Sequence, residues 1–151
     1  MLNPLPPIQH FKQSMGHGDK LCICDCNFPA AQIATATTSG KHVILTVKLP
    51  EALEAICSVL PLDFFEEKQA VYMAPQDNVE MPPDGQEVVD ALTAAIKESC
   101  ADATIEPLER FSFYDEAKTC FAVVQTLERR PYGNVILTKG CVDKNGQDLK
   151  P

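Results

Sequence analysis

From residue 20 onward, short apolar runs of strand character alternate with segments whose apolar residues recur at helical spacing. That alternation constrains the chain more than anything else in it. Lys20–Cys26, His42–Lys48, Ala70–Met73, Thr104–Pro107, Phe121–Leu127 and Asn134–Lys139 read as strands. Between them, Pro50 sits where a first helical position favours proline and opens a stripe of Leu53, Ile56, Cys57 and Leu60. A second stripe, Val88, Leu92, Ala95, Ile96 and Cys100, follows a cap at Asp84 or Gly85, and Ser112–Thr119 reads as a third helix. Ile8–Met15 adds a short helix before the first strand, and a loop is expected from Asn27 to Gly40. Strands alternating with helices predict an α/β layered fold, a mostly parallel sheet flanked by helices. The last two strands are joined only by Glu128–Gly133, too short for a crossover helix, so a C-terminal antiparallel β-hairpin is expected.

The chain has 151 residues, enough for one domain, expected over 1–142 with a polar tail over 143–151. Thirteen Lys+Arg against twenty-one Asp+Glu give a net charge of −8, the wrong sign for a general nucleic-acid binder. The longest uncharged stretch, Asn27–Gly40, is rich in Thr, Ser and Gln and unsuited to a bilayer, so no membrane partner is expected. Met1-Leu2-Asn3-Pro4 carries no leader character, and no Asn-x-Ser/Thr acceptor occurs. Seven cysteines cannot all pair within one chain, and they fit free thiols in a reducing, cytoplasmic setting. Cys22, Cys24 and Cys26 alternate along a strand about 7 Å apart, too far to share one tetrahedral ion, so no metal is expected and the thiols read as small buried hydrophobes.

In parallel α/β sheets ligands bind beyond the carboxyl ends of strands, which singles out Asp25 and the loop Cys26-Asn-Phe-Pro-Ala30. Gly16-His17-Gly18-Asp19 places an imidazole on a loop with room around it, and histidine is the side chain suited to both taking and giving a proton near neutrality. Asp19 or Asp25 is placed to orient it. Arg110-Phe-Ser-Phe-Tyr114 and Glu128-Arg-Arg-Pro-Tyr-Gly-Asn134 supply a guanidinium, phenols and a carboxamide, groups that suit a polyhydroxylated ligand. Tyr132 and Asn134, two apart, point the same way if strand geometry has begun there. Each stretch taken alone also reads as turn chemistry or core packing.

Together, Gly16-His17-Gly18-Asp19, Asp25-x-Asn27-Phe28-Pro29-Ala30, Arg110-Phe111-x-Phe113-Tyr114 and Glu128-Arg129-x-x-Tyr132-Gly133-Asn134, then Ile136-Leu137-x-Lys139-Gly140, resemble the L-fucose mutarotase / D-ribose pyranase family. The resemblance runs over about residues 6–142 and is nearer the fucose branch. It implies anomer interconversion of a free monosaccharide without cofactor or metal. It further implies a homo-oligomeric ring, a pentamer or a decamer of two stacked pentamers, with sites between subunits. His17 would be the acid/base residue, Asp25 its partner or a sugar ligand and Arg110 a sugar ligand, with Tyr132 and Asn134 coming from the adjacent subunit. Thr46–Leu49 and Asp115-Glu116 depart from the fucose branch, which commonly carries Arg-x-Asp-Gly and Glu-Arg there. A non-catalytic sugar-binding module on the same fold and a ribose-type pyranase remain alternatives.

Overall fold

The computed structural model describes residues 5–151, with side chains described from Ile8 onward, so Met1–Pro4 lie outside the described residues. A helix α1 (Leu5–Ser14) precedes the central strand β1 (Lys20–Cys24), which is followed by a one-turn helix α2 (Ala30–Ala34) and strand β2 (Lys41–Ile44). Helix α3 (Leu49–Cys57), strand β3 (Ala70–Ala74), helix α4 (Pro83–Ser99) and strand β4 (Ile105–Glu109) come next. Helix α5 (Arg110–Ala117), strand β5 (Ala122–Gln125) and strand β6 (Val135–Thr138) complete the fold.

The strands form one mixed sheet of order β2-β5-β1-β6-β3-β4. β1 and β2 both run parallel to β5, and β3 runs parallel to β4, whereas β6 is antiparallel to β1 and to β3. Five strands therefore point one way and β6 alone points back, so the carboxyl ends of the five and the amino end of β6 share one edge of the sheet.

The layered α/β expectation holds, but the C-terminal hairpin does not. β5 and β6 are separated by β1, paired as Cys22↔Val123 on one side and Cys22↔Ile136 on the other. Strands two places apart in a sheet are only about 10 Å from each other. The short link after β5 spans that gap across the end of β1, where Cys26 N–H donates to Glu128 O (2.8 Å) and Thr126 N–H to Cys24 O (2.9 Å). β1 suits the central slot because both its faces are apolar: Leu21 and Ile23 enter one core, Cys22 and Cys24 the other.

The larger core lies under α1, α3 and α4, where Phe11, Leu53, Ile56, Val88, Leu92 and Ile96 are almost completely buried. Each such side chain contributes about 1.5–3 kcal/mol relative to exposure. The smaller core lies under α2 and α5, built on Phe28, Ile33, Phe113 and Ala117. α4 begins with Pro83 and carries Asp84 in its first turn and Lys97 in its last, complementing the helix dipole. α2 falls inside the segment expected to be loop, as it is a single turn with too few residues to show a period.

All seven cysteines are free. Cys22, Cys24, Cys100 and Cys120 are buried as expected, and burial pushes the Cys120 thiol up to about 12. Cys26 instead is exposed, because β1 ends at Cys24 and Cys26 belongs to the turn beyond it, and Cys57 and Cys141 are half-buried. Among the described residues, no helix is long and apolar enough to cross a membrane and no group of three or more His, Cys, Asp or Glu is arranged to hold a metal ion.

Candidate active site

The edge where five strands end gathers the predicted polar groups. Asp25 follows β1, Arg110 opens α5 directly after β4, and Tyr132 and Asn134 precede β6. Together with Asn27, Phe28, Met73, Tyr114 and Pro131 they line a pocket of about 250 Å³. That volume lies below the range of roughly 300–1,000 Å³ usual for larger ligands and suits a single small ring.

Asp25 is 3% exposed, and its carboxylate accepts from the backbone N–H of Asn27 (3.0 Å) and Phe28 (2.9 Å). Burial raises its pKa above the ordinary carboxylate value, opposed by hydrogen bonds from the Asn27, Phe28 and Gly133 backbone and the Asn134 side chain. Asn134, equally buried, accepts from Asp25 N–H through Oδ1 (2.9 Å), with its Nδ2 3.6 Å from Met73 Sδ. This carboxamide ties the end of β1 to the start of β6 and fixes two pocket groups at once.

Arg110 is positioned by the cap before it. Glu109 accepts from Phe111 N–H (3.0 Å) and Ser112 N–H (3.1 Å), so α5 starts at a defined residue and its first side chain reaches the pocket. The guanidinium lies 5.7 Å from the Tyr114 ring, which stacks in turn near Phe28 at 5.5 Å. The pocket therefore has a polar side, Asp25, Arg110 and Asn134, and an apolar wall of Phe28, Met73 and Tyr114.

Tyr132 is not in strand geometry. Its φ of +64° places it in the left-handed region between Pro131 and Gly133, a conformation disfavoured for a bulky side chain. The loop holding it there is clamped by Glu128, 2% exposed, which takes Arg130 Nε (3.0 Å) and Nη2 (2.9 Å) and the backbone N–H of Arg129 and Arg130. Burial pushes the Glu128 carboxyl up, but its hydrogen bonds with Arg130 and that residue's charge prevail and hold it below the usual value. Gly85 of α4 packs beneath, and a Cβ there would come within 3.3 Å of the Tyr132 ring.

His17 lies at the other edge. It precedes β1 whereas Asp25 follows it, and five strand residues separate the two ends by roughly 16 Å. The two expected orienting groups are engaged elsewhere: Asp19 Oδ2 accepts Gly16 N–H (2.7 Å), and Asp25 caps its own turn. His17 Nε2 instead meets Asp63 Oδ1 at 3.0 Å. Asp63 carried no motif in the sequence; its one signal was a carboxylate set among Pro61, Leu62, Phe64 and Phe65.

The RbsD / FucU transport protein family matches residues 3–142, and the motif-bearing positions described above fall within that span. The chain belongs to this family. A zebrafish (Danio rerio) fucose mutarotase is 35% identical, over 94% of this chain and 92% of its own length. An L-fucose mutarotase of Actinobacillus pleuropneumoniae is 33% identical, with 89% of this chain and 90% of that protein covered. Among solved structures, the Streptococcus pneumoniae fucose mutarotase in complex with L-fucose superposes with a TM-score of 0.80 at 29% identity, covering 93% of this chain and 96% of its own. In this RbsD/FucU chain the strand-end pocket brings together Asp25, Arg110, Tyr132 and Asn134 and leaves His17 on the far edge.

Proposed function

We propose that this protein is a monosaccharide mutarotase, acting on free L-fucose, that speeds exchange between the α and β anomers. The observation that carries the reading is the convergence of Asp25, Arg110, Tyr132 and Asn134 on one small pocket with an apolar wall, in a chain whose relatives are named fucose mutarotases. The polar side offers groups for ring hydroxyls, and the Phe28–Tyr114 wall suits the apolar face of a deoxy sugar.

Mutarotation takes the proton from the anomeric O1–H and delivers one to the ring oxygen. The C1–O5 bond breaks to give the open aldehyde, C1–C2 rotates, and closure runs the same transfers backwards. General acid–base help of about 10²–10⁴-fold is sufficient, with no nucleophile required. In this reading His17 exchanges the proton at one oxygen and Tyr132 at the other, while Asp25, Arg110 and Asn134 hold the hydroxyls. Because His17 and the pocket occupy opposite edges of one subunit, the working site is shared: the pocket of one copy meets His17 of its neighbour. Closure of that contact round a cytoplasmic homo-oligomeric ring, of five copies or ten, gives every copy a complete site.

Exchange NMR at the anomeric protons of L-fucose, D-galactose and D-ribose tests the assignment. Accelerated exchange, greatest for L-fucose and lost in His17→Ala, is the expected result; no acceleration for any sugar refutes it. Sizing in solution tests the shared site, which a strict monomer cannot form. A second reading, a sugar-binding module without catalysis, is favoured by the separation of His17 from the pocket within the chain. It predicts L-fucose binding with unaltered anomer exchange.

A further inference from the structure

The strand-end pocket does not stop at its aromatic wall. Tyr114, part of that wall, also lines a second cavity of about 340 Å³ between α2 and α5. Ile33 and Phe111 add to the apolar floor of this cavity, and Gln32, Asp115 and Lys118, all exposed, stand round its rim. Phe111 is 54% exposed, whereas Phe113, two residues on, is wholly buried. The Phe111 ring lies 6.5 Å from that of Tyr114, and the Tyr114 ring 5.5 Å from that of Phe28. Three aromatic rings therefore form a row that leads out of the pocket. Arg110 ties the outer two together, its guanidinium 5.6 Å from the Phe111 ring and 5.7 Å from the Tyr114 ring. Glu109 fixes the row at its outer end, because its carboxylate accepts from Phe111 N–H and Ser112 N–H and so sets where α5 begins.

We infer that this second cavity is a subsite for one further sugar ring, joined by a glycosidic bond to the ring in the pocket, so that the protein also acts on the reducing end of short neutral oligosaccharides. The inference rests on the mutarotase reading and extends its substrate class. Anomer exchange breaks and remakes bonds only at C1, O1 and O5 of the reacting ring, which leaves the other hydroxyls free to carry a substituent. Because the Tyr114 ring lines both cavities, a ring attached to the sugar in the pocket comes within reach of Phe111. A pyranose has apolar C–H faces edged by hydroxyls, and it matches an aromatic floor inside a hydrogen-bonding rim. Asp115 and Lys118 offset each other in charge, which suits a neutral sugar over a phosphorylated one. A protein partner would cover roughly 800 Å² with an apolar centre, whereas here a single exposed phenylalanine is closely bordered by polar side chains.

Exchange NMR at the anomeric protons of β-D-galactosyl-L-fucose, linked through O2, O3 or O4, tests this against free L-fucose. At least one isomer should show accelerated exchange, with KM about fivefold or more below that of L-fucose. Phe111→Ala should remove that advantage. Gln32→Trp, at a position that lines the second cavity but not the pocket, should lower kcat/KM for the disaccharide at least about tenfold more than for L-fucose. Acceleration of L-fucose but of none of the three disaccharides overturns the inference, as does an equal effect of both variants on the two kinds of sugar. A changed assembly size in Phe111→Ala, with no disaccharide preference in wild type, would assign the aromatic row to a contact between copies and overturn it as well. Failure to accelerate L-fucose itself would strike the mutarotase reading, and the subsite is then decided by NMR titration. The disaccharide should bind more tightly than L-fucose in wild type and no more tightly in Phe111→Ala; equal dissociation constants in wild type refute the subsite.

Discussion

The two edges of the sheet solve different problems with the same resource, backbone held by strand ends. At the edge where five strands finish, Asp25, Arg110, Tyr132 and Asn134 converge from three separate places in the chain to make a concave pocket. At the opposite edge, His17 stands exposed on a loop, backed by one buried carboxylate and one aromatic ring. In the proposed reading the first edge holds the sugar and supplies Tyr132 for one proton exchange, while the second supplies His17 for the other. Binding groups gain from burial and multiple anchors, while an acid/base group must reach out and keep a defined tautomer.

The sharpest way to break this division is His17→Ala. Catalysed anomer exchange should drop at least about a hundredfold, while the L-fucose dissociation constant, followed by NMR titration, stays within about threefold. A comparable loss of binding would mean that the two edges are not separate in role. Next in size is Asn134→Ala at the pocket edge, which leaves the Asp25 N–H buried without its acceptor. A loss of about 1–3 kcal/mol in urea unfolding is expected, together with weakened sugar binding. Gly140→Ala probes the far edge in the same way. Its Cβ would collide with backbone at Leu62, so the Asp63 segment must shift, costing about 1–3 kcal/mol. Catalysed exchange should fall while the pocket still binds L-fucose.

The subtlest contrast lies within the pocket edge, between its two buried carboxylates. The pKa of Asp25 is raised in the folded state, so the fold binds its proton more tightly than the unfolded chain does. Its contribution to stability is therefore full below the ordinary carboxylate range near 3.9 and is lost as pH rises through the elevated folded value. Glu128 has the opposite sign: its lowered pKa stabilises above the ordinary value near 4.3, and that contribution is lost as pH falls through the folded value. Thermal melts from pH 3 to pH 7 should show Asp25→Asn gaining on wild type as pH rises. Glu128→Gln should be destabilised most at neutral pH and converge with wild type in acid.

How far the sequence foretold this depends on the range of the interaction concerned. The stripes of α3 and α4 and the apolar runs of β1, β5 and β6 were legible because each expresses a local period. The sheet order was not, since nothing local in Ala122–Gln125 or Val135–Thr138 says that β1 lies between them. The strand-end rule singled out Asp25 alone; Arg110, Tyr132 and Asn134 stood out as polar and aromatic clusters, and only the family resemblance assigned them to a sugar site. Their mutual contacts could not be named in advance, and the left-handed turn at Tyr132 replaced the extended geometry expected there. Asp63 was invisible: it pairs with a histidine 46 positions earlier, through a fold that no spacing rule encodes.

β6 deserves a mechanical reading. Its four residues begin beside Asn134 and end beside Lys139 and Gly140, and ladders on both flanks leave it no freedom to slide. It acts as a ruler inside the subunit, setting the distance between the pocket edge and the His17 edge, which in the proposed reading grip the sugar and offer the base. Inserting or deleting a residue in β6 would alter that distance by about 3.3 Å and turn the following side chains to the opposite face. Copies that meet end to edge would then present grip and base out of step, with every side chain of both surfaces unchanged.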